Sequence, residues 1–326
     1  MMEIKEELMT IIRDGSRMSA SDIHFTRHND EVLILFRADQ MRVPRKKISR
    51  EFYERILAYV RFNAALDLAH PKQPQSGSLI LEEEEEEEIL HCRVSILPTD
   101  KFHSLVLRII NHKMGKSLEN IPFFTSNVGQ LQEIAKETAG LLLIGGPTGS
   151  GKTTTAYALI DYLKNILGKS VVTIEDPIEY QQEDIVQMQV NERAGMNYEV
   201  GIKEILRHDP DVIVVGEIRD AKTAAQALRA ALTGHLVIST IHAKNNLGIL
   251  HRLMDLGIGL SDIMQSLVGL VNQRLVKAGG ERTALMEICA NSDLDLILEQ
   301  LAEGSILTIP YTTIDEEFLK WKSQKS

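Results

Sequence analysis

Residues 140–160 read "GLLLIGGPTGSGKTTTAYALI". A short apolar run passes into a glycine-rich turn, and the turn into a stretch that opens a helix. Gly146, Gly151, Lys152 and Thr153 satisfy the pattern G-x-x-x-x-G-K-[ST] in the strand, loop, helix order that turns a pattern match into a physical site. The residues Gly146, Pro147, Thr148, Gly149, Ser150 and Gly151, continuing through Lys152, Thr153 and Thr154, are expected to wrap a phosphate chain. Backbone N–H groups surround the phosphates, the helix N-terminus adds the positive end of its dipole, and Lys152 neutralises the β/γ oxygens. Thr153 is expected to hold magnesium, so the ligand implied is ATP with Mg2+.

The alternation continues downstream. "SVVTIED" (170–176), "DVIVVGE" (211–217) and "HLVISTIH" (235–242) are further β-branched runs between helical stretches. Such runs specify a parallel sheet buried on both faces, an α/β core. Parallel strands deliver their C-terminal ends to one edge, where ligands bind. Acids at those ends are therefore the candidates to orient or deprotonate an attacking water. Glu217 is the first, preceded by Gly216 where many phosphate-loop enzymes place a magnesium-holding aspartate; Glu175 and Asp176 are the next, with a strand-end cap as the plainer role for Asp176. His242 also ends a strand, suited to sensing a γ-phosphate or to an ordinary bond with backbone. His235, seven residues earlier, lies on the opposite face with no third ligand near, so no zinc site is expected.

Before residue 126 the pattern is different. "EELMTIIRDG" (6–15) has helical spacing and ends at a glycine; "SDIHF" (21–25) and "EVLILFR" (31–37) alternate like paired strands; "REFYERILAYVRF" (50–62) is helical again. "SLIL", "LHCRVSILP" and "SLVLRII", between Ser78 and Ile110, read as strands. The expected organisation is a small α+β domain over 1–112, a linker over 113–125 containing Pro122, and an ATPase domain over 126–326. After His242, "LGILHRLMDLGI" (247–258) and "SDIMQSLVGLVNQRLVKAG" (261–279) read as helices.

Composition sets the outer limits. The chain has 326 residues, 44% hydrophobic and 25% charged, enough for two packed domains. Its two cysteines, Cys92 and Cys289, form no ligand or disulfide pattern. No run approaches the roughly 18 apolar residues of a membrane span, and the acids among the first residues are unlike a secretory signal, so a cytoplasmic protein is expected. A net charge of −10 disfavours direct nucleic-acid binding. "RVPRKKISR" (42–50) is the local exception, either a phosphate or acidic-lipid patch or a solvated or intersubunit face; the seven glutamates of 82–88 read as an exposed loop between strands.

The motifs "GPTGSGKTTT", "TIEDPIEY", "LRHDPDVIVVGEIRD" and "ALTGHLVISTIHA", in this order, resemble the secretion and type IV pilus traffic ATPases. The resemblance implies a RecA-like core preceded by a PAS-like domain, which "SASDIHF", "FRADQ", "CRVSILPTD" and "VLRI" resemble in turn; it covers roughly residues 16–290. In that family the aspartate position is commonly glycine and the next glutamate, here Glu217, is implicated in catalysis, while Glu175 matches the acid that helps position water and magnesium. Arg93 and Arg108 match arginines that reach the nucleotide on domain closure. A homo-hexamer acting on a polytopic inner-membrane platform protein, peripherally attached to the cytoplasmic face, is implied as well.

Departures narrow the resemblance. The start is too short for the further N-terminal domain of many members, and "NQRLVKAGGERTALMEI" lacks their CxxC…CxxC zinc insertion. Gln40 replaces the glycine of an "RxDG" turn, and Ala243 stands where threonine is more frequent. The compact form most resembles the competence branch, which drives a pseudopilus for DNA uptake; retraction, assembly and type II secretion ATPases are the alternatives. A RecA-like nucleic-acid motor is disfavoured by the acidity and by the lack of an aromatic-basic groove signal, and a non-hydrolysing adaptor by the retention of Glu217, Glu175 and Lys152.

Overall fold

The computed structural model describes residues 2–38, 41–64, 66–83, 88–110, 117–182, 184–191, 194–279 and 281–324. The chain divides into two compact units, one formed by Met1–Met114 with Pro177–Gln181, the other by Gly115–Asp176 with Gln182–Ser326.

In the first unit, α1 (Met2–Arg17) and α2 (Arg50–Asn63) cover a six-stranded antiparallel sheet. Its strands are β1 (Asp22–His28), β2 (Glu31–Ala38), β3 (Met41–Ser49), β4 (Gln75–Glu83), β5 (Glu88–Pro98) and β6 (His103–Ile110). Their order is β3-β2-β1-β6-β5-β4, so the first strand lies at the centre beside the last. Leu8 and Ile12 of α1 and Tyr53, Ile56 and Leu57 of α2 meet Ile23, Phe25, Ile34 and Leu105 in one buried cluster. The expectation that α1 ends at Gly15 is corrected: the helix runs on to Arg17, and a Cβ at Gly15 would stand 2.7 Å from the Ile109 side chain. That glycine lets helix approach sheet. Residues 42–49 of the basic run lie in edge strand β3 and Arg50 opens α2, with Pro44 at a register shift, the place where a ladder tolerates proline. Gln40 and residues 84–87 of the glutamate run lie outside the described residues.

The second unit carries a seven-stranded sheet ordered β13-β12-β7-β11-β10-β8-β9. Its elements are α3 (Ser126–Ala135), β7 (Gly140–Gly145), α4 (Lys152–Asn165), β8 (Val171–Glu175), β9 (Val186–Gln189), α5 (Tyr198–Ile205), β10 (Val212–Glu217), α6 (Ala221–Leu232) and β11 (Leu236–Ile241), followed by α7 (Asn246–Asp255), α8 (Leu260–Ser266), β12 (Leu267–Ala278), β13 (Glu281–Ala290), α9 (Asn291–Glu303) and α10 (Ile314–Ser323). All pairings are parallel except β12 with β13. Every residue of β7, β8 and β11 is buried, as continuous β-branched runs between helices require. This is the expected α/β core.

The helical reading of 261–279 is corrected. Only Leu260–Ser266 is helix; from Leu267 the chain is β12, paired parallel to β7 and antiparallel to β13. The apolar residues of "LVGLVNQRLV" fit either period locally, and the vacant flank of β7 selects the extended form because it pairs every buried backbone group. Residues 113–116 of the expected linker lie outside the described residues. Beyond them Leu118–Asn120 forms a 3-10 turn and Phe123 N–H bonds the Ala284 carbonyl of β13 at 2.8 Å.

Candidate active site

Gly145 ends β7, and the chain turns into the loop that precedes α4. Two glycines are required there. Gly146 has φ of 146°, and a Cβ on it would lie 2.6 Å from the Gln273 carbonyl oxygen; Gly151, with φ of 88°, is the N-cap of α4. Pro147, Thr148 and Gly149 form the exposed tip, and Ser150 is buried. Lys152, the first residue of α4, is buried and donates to the carbonyls of Gly146 at 2.9 Å and Pro147 at 3.1 Å. Its ammonium thus lies along the inside of the loop. Thr153 faces a cavity of about 30 Å³, and Thr154 is exposed. That volume is enough to admit water.

The cavity is also lined by Tyr157 of α4, Glu175 of β8, Gly216 of β10 and Thr240 of β11, so four elements meet at the C-terminal edge of the sheet. Glu175 is buried and accepts from the hydroxyls of Tyr157 and Thr173 and from Gln187 Nε2, the last two at 2.7 and 3.2 Å. Asp176 is exposed. Burial, helped by the charge of Asp176, pushes the Tyr198 hydroxyl well above its ordinary pKa.

Glu217 reaches the edge through a bulge. Val215 pairs Ser239 and Glu217 pairs Thr240, leaving Gly216 unpaired with β11. A Cβ on Gly216 would sit 3.3 Å from the Glu175 Cα and 3.4 Å from the Ile174 carbonyl. Glu217 Oε1 meets His242 Nε2 at 3.1 Å, and Oε2 accepts from Arg219 Nε at 2.8 Å. The other ring nitrogen of His242 lies 3.3 Å from the Gly146 carbonyl and 3.5 Å from Lys152 Nζ. A chain of polar contacts therefore joins the phosphate loop to Glu217 through His242.

A family model described as type II/IV secretion system protein matches residues 2–300. The chain belongs to that family. This secretion ATPase is 40% identical to the competence protein ComGA of Bacillus subtilis (strain 168), an alignment spanning 85% of this chain and 77% of the relative. It is 38% identical to the type II secretion system protein E of Pseudomonas aeruginosa, over 82% of this chain and 53% of that longer protein. Among solved structures, the pilus retraction motor PilT with bound ADP matches 96% of this chain and 92% of its own, with a TM-score of 0.75 and 26% identity. The resemblance, the RecA-like fold class and the ATPase activity expected from the motifs stand on these matches together.

Arg93 and Arg108 lie in the first unit of the secretion ATPase, opposite one another on β5 and β6. The registers extend that rung to Asp22, Arg37 and Arg42 across β1, β2 and β3, placing four arginines and one aspartate in a row. Arg108 Nε bonds Asp22 Oδ1 at 2.9 Å. Burial works to raise the Asp22 carboxyl, but the Ser21 hydroxyl and the Arg108 guanidinium outweigh it and hold Asp22 below the usual carboxylate value.

Sequence reasoning missed Tyr157, Thr173, Arg219 and Gln273. Thr173 was legible: it stands two residues before Glu175 on a strand, hence on the same face. Tyr157 and Gln273 come from other elements and left no local signal. Among the described residues no group of three or more His, Cys, Asp or Glu side chains converges in a metal-binding cluster, and no helix is long and apolar enough to cross a membrane.

Proposed function

We propose that this ATPase powers assembly of a competence pseudopilus for DNA uptake, working as a homo-hexamer on the cytoplasmic face of the membrane against a polytopic platform protein. The observation that carries the reading is the 40% identity to ComGA over 85% of the chain. DNA would be the cargo of the pilus and not a ligand of the ATPase, in keeping with the net charge of −10.

In this reading ATP is bound at 146–154, with Lys152 neutralising the β/γ oxygens. The oxygens lining the cavity are hard donors suited to Mg2+, which Thr153 and Glu175 would hold and which would neutralise phosphate charge when bound. Glu217 orients the attacking water. His242, in contact with both the Gly146 carbonyl and Glu217, relays occupancy of the loop to that carboxylate. Arg93 and Arg108 add positive charge to the transition state.

The test is genetic and direct. In a naturally transformable host, deletion of the gene, or its replacement by the Lys152→Ala form, is expected to abolish DNA uptake and leave surface motility intact. Loss of motility with uptake preserved favours the second reading, a pilus retraction motor, which the likeness to PilT at a TM-score of 0.75 supports.

A further inference from the structure

β12 outlasts the strand it pairs with. Its register with β7 ends with Asn272 opposite Gly145, where β7 gives way to the phosphate loop, yet β12 continues to Ala278. Two side-chain amides stand at that divergence, Asn272 and Gln273, each 0% exposed. Gln273 Nε2 donates to the Ser150 carbonyl at 2.7 Å, and Asn272 Nδ2 donates to the Ala243 carbonyl, next to His242, at 3.3 Å. The loop glycines are fitted to the same strand. A Cβ on Gly151 would lie 3.1 Å from Gln273 Nε2 and 3.3 Å from a Leu275 methyl, besides the approach of Gly146 to the Gln273 carbonyl.

We propose that Gln273 is a positioning residue for the phosphate loop, and that Asn272 has the corresponding role for the segment carrying His242. A trans peptide is planar and holds its C=O and N–H in opposite directions. Drawing the Ser150 carbonyl toward β12 therefore turns the Gly151 N–H away from β12, as a donor for phosphate oxygen. The Gln273 amide is oriented by this bond: its Nε2 must face the carbonyl, and its Oε1 is buried with no hydrogen-bond partner among the described residues. Asn272 acts in the same way on the peptide joining Ala243 to Lys244. The two amides should therefore separate in kinetics, Gln273 acting on ground-state nucleotide binding and Asn272 on the chemical step. The inference rests on 146–154 being the nucleotide site.

The experiment measures Mg·ADP affinity by calorimetry and steady-state ATP hydrolysis on the purified full chain. Gln273→Met keeps length and bulk but removes the donor. It is expected to weaken ADP binding about three- to tenfold, one hydrogen bond's worth, with kcat at saturating ATP within about twofold of the parent. Gln273→Glu should lose affinity at neutral pH and regain part of it, relative to the parent at the same pH, as acidification supplies a proton to donate. Asn272→Leu should lower kcat about tenfold with ADP affinity nearly unchanged. If Gln273→Met binds ADP like the parent while Lys152→Ala is impaired, the positioning role is overturned. If Lys152→Ala also binds like the parent, the nucleotide-site assignment falls and this inference with it.

Discussion

At Gly216 any side chain would press on the backbone of the neighbouring strand, and that steric fact moves the acid of β10 one residue on. Gly216→Asp is therefore expected to impair the enzyme even though it restores the carboxylate that many phosphate-loop enzymes carry there. The crowding against β8 should cost about 1–3 kcal/mol in a urea titration, with kcat reduced at least about tenfold. Lys152 and Glu217 should separate cleanly. If Lys152 meets ground-state phosphate charge and Glu217 acts when water attacks, as proposed, Lys152→Ala is expected to remove tight ATP binding, and Glu217→Gln to keep binding and lose hydrolysis. Nucleotide affinity measured on both variants checks this, and an equal loss in the two would reverse the assignment. Both residues were legible from local sequence, one by the loop pattern and the other by its place at a strand end. Arg219, which grips Glu217, was not, because nothing in "GEIRD" says which way a side chain beyond the strand turns.

Among the elements, β12, β13 and α10 carry the least legible part of the fold. Glu287 and Glu317 join β13 to α10 from inside, and tie the pair to α7 and α3. Glu287 accepts from the N–H groups of Asn246 and Ile314 at 2.9 and 3.0 Å; Glu317 accepts from Asn127 Nδ2 at 2.8 Å and from Met286 N–H at 2.7 Å. Burial pushes both carboxyls above the ordinary glutamate pKa of 4.5, against the hydrogen bonds, with Asp315 adding to the rise at Glu287 and Lys320 opposing it at Glu317. An acid with a raised folded-state pKa binds more protons in the native than in the unfolded chain. Its contribution to stability is thus present at low pH and lost as pH climbs from about 4.5 through the raised value, by at most about 1.4 kcal/mol per pH unit for each group. Glu317→Gln is expected to flatten that decline in the window that opens at about pH 4.5, as read from denaturant midpoints. An unchanged slope would mean that Glu317 is ionised across the window. These glutamates sit in "LMEICA" and "DEEFLK" with no pattern that marks them as buried, since a burial partner distant in sequence leaves no trace in either segment.

For the molecule as a whole, the row of arginines across the first unit's sheet, Arg93, Arg108, Arg37 and Arg42, carries the remaining prediction. If Arg93 and Arg108 act on transition-state charge, as the family resemblance implies, Arg93→Ala and Arg108→Ala should each leave folding and ATP affinity nearly intact and lower kcat at least about tenfold, part of the 10³–10⁵ an arginine finger contributes. Turnover measured on assembled oligomer decides it; near-normal kcat in both variants would remove them from the mechanism. Arg108 already bonds Asp22, so Asp22→Ala offers a companion test that frees the guanidinium without deleting it. What the sequence by itself determined was whatever rests on short-range chemistry: the glycine-rich loop pattern, the buried parallel strands, the acids and His242 at their C-terminal ends, and the mixture of helices and strands in the first unit. What only the tertiary structure decided was the choice between states that are locally equal. "LVGLVNQRLV" suits helix or strand until the flank of β7 is there to be paired, and Gly15 could end a helix or admit a sheet until Ile109 lies against it. Gln273 is one more polar residue until β12 runs past the end of β7 and brings its amide to the Ser150 carbonyl. Local propensities differ by tenths of a kcal/mol per residue, whereas burying a strand's unpaired backbone groups costs several times more, so the long-range contact settles each case.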